Sequence, residues 1–118
     1  MKPLLRFPAL LWEKPAKVWV GVVVWRTVRD MRQANGQSRA RYAALTHQYG
    51  RKKGQVAQMH FCLSYLDPGT IHHEVSHAAL HISRQFDICT EEDEESVVQI
   101  SEHLFAQVIE RLGAEGLT

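Results

Sequence analysis

The chain is poor in cysteine, in long apolar runs and, over its first half, in acidic residues. Its two cysteines, Cys62 and Cys89, stand at no disulfide-framework or paired-thiolate spacing. That excludes a disulfide scaffold and points to a reducing compartment, the cytoplasm. No apolar run approaches the roughly 18 residues of a membrane span, so no membrane partner is expected. The stretch Met1–Leu11 has the outline of a signal peptide, but Arg6, Pro8 and Glu13 interrupt or closely follow its apolar part. No small-residue cleavage site follows, so the segment reads as retained. Pro3, Pro8 and Pro15 make residues 1–16 an irregular N-terminal segment by expectation.

What is present is ordinary globular material. The chain has 118 residues, 45% of them hydrophobic and 23% charged, which fits one domain over residues 1–118. The formal net charge of +1 conceals an asymmetry. Residues 1–60 carry 12 Lys/Arg against 2 Asp/Glu, and residues 61–118 carry 2 against 11. Two explanations follow: attraction between the two halves inside the fold, or an anionic partner for the basic segment 26–53.

Lys17–Trp25 (KVWVGVVVW) is apolar on both faces, as a central strand requires. Thr27–Gln33 fits a short helix stopped by Asn35-Gly36. Arg41–Tyr49 and Gln55–Tyr65 flank a basic, glycine-bounded turn and suggest a β-hairpin. In its second run Met59, Phe61 and Leu63 alternate with His60, Cys62 and Ser64, the pattern of a half-exposed strand. Asp67 and Pro68 suit the N-cap and first position of a helix reaching about Gln85. Thr90 and Asp93 resemble a capping box for a last helix. The acidic cluster Glu91–Glu95 occupies its first turns, where the helix dipole favours negative charge. Its apolar face runs from Val97 to Leu112. The order predicts an α+β domain: a small sheet of about three strands with two longer helices packed on it.

His73-Glu74-Val75-Ser76-His77 lies on the first of those helices. Histidines four apart leave one helix face and can grip one ion. Glu74 stands about 100° around the helix from His73, within reach of a water held by that ion without being a ligand. Zn²⁺ bound there would acidify the water and polarise a carbonyl, and Glu74 would take the proton as general base. A shuffled chain of this composition would show the pattern by chance in roughly 3% of arrangements. The preceding strand, the helix start and the small flank Ala78-Ala79 add to the motif. The strand directly before the motif would be the edge strand that receives an extended peptide.

A third ligand is needed. Position 83 is Ser, so the form with a third His six residues on is absent. His81 shares the motif helix and reads as packing or support; His72 reads as exposed. His103 and Cys89 are weaker candidates. A carboxylate of the acidic cluster is preferred, and periodicity favours Glu94 over Glu95. Tyr65, Arg84 and His103 are the available transition-state donors.

These residues resemble the small phage- and prophage-encoded zinc metallopeptidases, gluzincin-like proteins of minimal size. The similarity runs from about Lys17 to Leu112. It rests on the apolar strand, the strand before the motif, His73–Ala78 and Glu92–Val98. It implies a zincin-like domain with zinc held by His73, His77 and Glu95, a protein or peptide substrate and a cytoplasmic setting. It thus favours Glu95 where periodicity favours Glu94. A more distant similarity, to ImmA/IrrE-type peptidases, covers His73-Glu74-x-x-His77-x-x-x-His81. Their Glu-Ala-Asn-x-Phe-Ala segment and a helix-turn-helix are missing here. Three functions are therefore in play: a zinc peptidase, a zinc-stabilised interaction or regulatory module, and a nucleic-acid-binding module using segment 26–53.

Overall fold

The computed structural model describes residues 2–14, 17–36, 44–52, 54–88 and 93–117. The elements are β1 (Leu5–Trp12), β2 (Val18–Trp25), α1 (Val28–Ala34), β3 (Ala44–Lys52), β4 (Gln55–Cys62), α2 (Pro68–Gln85) and α3 (Glu94–Ala114). A 3-10 turn, Leu63–Tyr65, joins β4 to α2. The sheet has the order β1-β2-β4-β3. β1 and β3 run antiparallel to their neighbours β2 and β4, and the central pair β2 and β4 is parallel. The α+β expectation holds, with four strands among the described residues in place of about three.

The added strand is β1, which corrects the expectation of an irregular N-terminus. Pro8 is tolerated because β1 is an edge, and there it sits opposite Gly21. β2 is central, as its two apolar faces require. Val20, Val22 and Val24 join Ala57, Met59 and Phe61 of β4 under α2 and α3. Val23 and Trp25 face the other way and pack with Met31 of α1. Two glycines are dictated by geometry. A Cβ at Gly21 would come 2.7 Å from Gln55 Nε2. Gly54 has φ +85° in the hairpin turn, and a Cβ there would lie 2.3 Å from the Lys17 carbonyl oxygen.

The second hairpin strand departs from the half-exposed pattern. His60 and Cys62 are buried, because α1 and Trp25 cover the face they occupy. Leu63 and Ser64 belong to the 3-10 turn rather than to the strand.

α2 begins as its sequence indicates. Asp67 Oδ1 accepts from the Thr70 N–H at 2.9 Å, and Pro68 fills the first turn. That hydrogen bond holds the Asp67 carboxyl below the usual range. α2 buries Ile71, Val75, Ala78 and Ile82, and α3 adds Leu104, Val108 and Leu112. α3 starts at Glu94 after Asp93, whose Oδ1 accepts from Ser96 Oγ at 2.7 Å. The capping position expected at Thr90 lies outside the described residues. α3 also closes the β1 edge. Gln107 Oε1 accepts from the Leu10 N–H at 3.0 Å, and its Nε2 donates to the Leu10 carbonyl. Arg111 stands over the Phe7 ring at 5.2 Å. Among the described residues no helix is long and apolar enough to cross a membrane. The edge beside the motif helix is β3 and not, as expected, the strand directly before that helix, because β4 pairs with both β2 and β3.

Candidate metal centre

Helical periodicity sorts the surface of α2 into three strips. His73, His77, Leu80 and Arg84 fall within about 60° of one another, and all four are exposed. Glu74 lies to one side of this strip and His72 to the other. Glu74 is buried and meets β3: Thr46 Oγ1 donates to Glu74 Oε1 at 2.7 Å. His72 meets α3, its ring 6.0 Å from Phe105. The exposed strip therefore lies between an edge strand and a helix.

His73 and His77 converge. Their Nε2 atoms are 3.2 Å apart, with the rings nearly perpendicular at 83°. Two nitrogens bound to one tetrahedral zinc at about 2.0–2.1 Å would stand roughly 3.3–3.4 Å apart. The observed spacing falls just short of that edge. It is also the length of a hydrogen bond between one imidazole N–H and one lone pair. Both descriptions need the same aim of the two rings. Glu74 Oε2 stands 3.9 Å from His73 Nε2, with the Glu74 side chain 7% exposed against 69% for His73. The two carboxylate oxygens thus have different surroundings: Oε1 is held by Thr46, and Oε2 stands toward His73.

The other candidate residues are placed elsewhere. Glu94 and Glu95 are exposed at the start of α3, and Glu95 Oε1 accepts from Gln99 Nε2 at 3.5 Å. The short connection 86–93 and the His72–Phe105 contact make α2 and α3 an antiparallel pair. Glu95 lies about 15 Å before Phe105 along the axis, beside the last turns of α2. Among the described residues, no group of three His, Cys, Asp or Glu is assembled to hold a metal. The histidine pair fits two positions of a zinc site, and Glu95 is not brought to them. His103 Nε2 lies 3.0 Å from the Leu10 carbonyl oxygen, so it serves the β1–α3 contact. His81 is half-buried on the Glu74 side of α2. Tyr65 is 50% exposed in the turn before α2, and Arg84 is exposed in the last turn. Cys89 lies outside the described residues.

Two features were not visible in the sequence. Thr46 is one; nothing in its neighbourhood marks it as the partner of Glu74. The other is a polar cluster on the opposite face of the sheet. Trp25 Nε1–H donates to His60 Nδ1 at 3.1 Å, and the Gln58 amide lies 3.0 Å from His60 Nε2. His47 Nε2 lies 2.8 Å from Asn35 Oδ1, and Asn35 Nδ2 donates to the Met31 carbonyl. Burial lowers the pKa of His60 to about 4, with smaller contributions from His47 and Arg6. Burial likewise raises that of Cys62.

No family model matches the chain, and no curated protein or solved structure matches it either.

Proposed function

We propose that the chain is a zinc-dependent peptidase of minimal, zincin-like form, acting on an extended protein segment in the cytoplasm. The observation that carries this reading is the convergence of His73 and His77 Nε2 at 3.2 Å beside the buried carboxylate of Glu74. Bound zinc would supply a polarised carbonyl and an acidified water. The chain's own residues would do the rest. His73 and His77 would hold the ion through their converging Nε2 atoms. Glu74 Oε2 takes a proton from water and later returns it to the leaving amine. β3 offers an edge along which an extended segment can pair.

Glu95 is the third ligand we propose, on the resemblance to gluzincin-like proteins alone. The described geometry holds it apart from the histidines, so it is tested separately. The zinc content of Glu95→Ala should fall if it is a ligand and stay unchanged if it is not.

The reading as a whole is tested by separating metal from chemistry. Glu74→Gln should keep one zinc per chain and lose cleavage of an unfolded protein such as casein, by a factor of roughly 10² or more. Unchanged function in Glu74→Gln, with zinc retained, would favour the interaction module. Salt-sensitive binding to DNA or RNA without zinc would favour the nucleic-acid reading.

A further inference from the structure

We infer that Thr46 is a positioning residue for the proposed general base. It would fix the Glu74 carboxylate so that Oε2, and not Oε1, stands toward His73. The inference rests on the peptidase reading and adds to it a residue outside the motif.

Glu74 leaves α2 toward the sheet rather than toward solvent, so its carboxylate needs a donor to replace lost water. Thr46 is that donor. Its hydroxyl lies 2.7 Å from Oε1 and 3.4 Å from the Glu74 carbonyl oxygen. One hydroxyl has one proton, and the shorter contact, to a carboxylate, takes it. Oε1 is then engaged, while Oε2 stands 3.9 Å from His73 Nε2. With one oxygen pinned, rotation that would exchange the two is opposed, and the free oxygen keeps its aim.

The donor is itself well held. Successive strand residues point to opposite faces, so Thr46 meets α2 and His47 meets the far side. There His47 Nε2 lies 2.8 Å from Asn35 Oδ1, in the turn that ends α1. The next ring inward is His60, 5.2 Å from His47 centre to centre and perpendicular to it. Edge strand β3 is therefore clasped from both faces at adjacent residues. A substrate strand pairing with β3 would lie along the same element that aims the base.

The test uses Thr46→Val, which keeps the β-branched shape and removes the hydroxyl, and Thr46→Ser, which keeps the hydroxyl. On the zinc-loaded full chain cleaving casein, Thr46→Val should lower kcat roughly tenfold or more with KM and zinc content unchanged. Thr46→Ser should restore most of kcat. Wild-type kcat in Thr46→Val, or failure of Thr46→Ser to restore it, overturns the inference. A second readout needs no turnover. In urea unfolding, Thr46→Val and Glu74→Ala, each of which removes the hydrogen bond, should be non-additive, with a coupling of roughly threefold or more in the unfolding constant. Additive effects would also overturn it. A wild type without zinc or cleavage removes the peptidase reading instead, and persistent coupling between Thr46 and Glu74 would mark that as a separate failure.

Discussion

Single residues carry different kinds of information in this chain. His73 and His77 are brought together by helical spacing, which the sequence displays directly. The burial of Glu74 and its contact with Thr46 join distant segments, which it does not display. His60 is a further case. Alternation marks it as a residue on the opposite face from Met59 and Phe61, and on that ground alone it would be half-exposed. Trp25 from β2 and α1 cover it, and neither is adjacent in sequence. Its chemistry then follows. The indole N–H of Trp25 can only donate, so Nδ1 must keep its lone pair. Protonation would set N–H against N–H in a buried site. Burial first, with smaller contributions from His47 and Arg6, lowers folded His60 to about 4 from the 6.5 of the unfolded residue. Between those values the unfolded chain holds more protons, so stability rises with pH. This contribution is fully present above pH 6.5 and is lost as pH falls toward 4. Urea unfolding at pH 7.5 and 4.5 should show wild type losing roughly 2–3 kcal/mol more than His60→Gln across that window. Parallel pH dependence in the two proteins would remove His60 as the source.

At the scale of elements, local signals suffice where one segment decides its own conformation. Asp67-Pro68 start α2, and the apolar octet of β2 becomes a central strand. Signals failed where a neighbour decides. β1 forms although Pro8 interrupts it, because an edge strand paired on one side tolerates proline, and α3 bonds to its Leu10 backbone. Residues 63–65 extend the alternation of β4 but turn away to enter α2. The hairpin is the element most dependent on one residue. Gly54 combines φ +85° with close approach of the Lys17 carbonyl. Gly54→Ala should destabilise the fold by about 1–3 kcal/mol in chemical unfolding. A neutral result would show that the turn can rearrange without disturbing the start of β2.

Over the whole molecule, the sheet separates two environments. One face carries α2 and α3 and the main apolar core; the other carries α1, Trp25 and the His60 cluster. The sequence predicted this layering in outline, since two long amphipathic helices must bury their faces on a strand pair. It could not place the helices relative to one another. The motif helix and the acidic start of α3 are close in sequence, yet the antiparallel packing sets Glu95 beyond His77. Because α3 holds both the core and the β1 edge, the domain should melt as one unit. Leu104→Ala, at a fully buried position, should cost about 2–5 kcal/mol and leave a single unfolding transition. Separate melting of α3 and the sheet would argue against a shared core.

The claim on which the functional account stands is that His73 and His77 form half of a zinc site. X-ray absorption at the zinc edge on the purified, zinc-loaded chain tests it most directly. The account predicts one zinc per chain with imidazole nitrogens at about 2.0–2.1 Å, and loss of that signal in His73→Ala and in His77→Ala. A chain that takes up no zinc, or that keeps the same zinc spectrum in both variants, would contradict it.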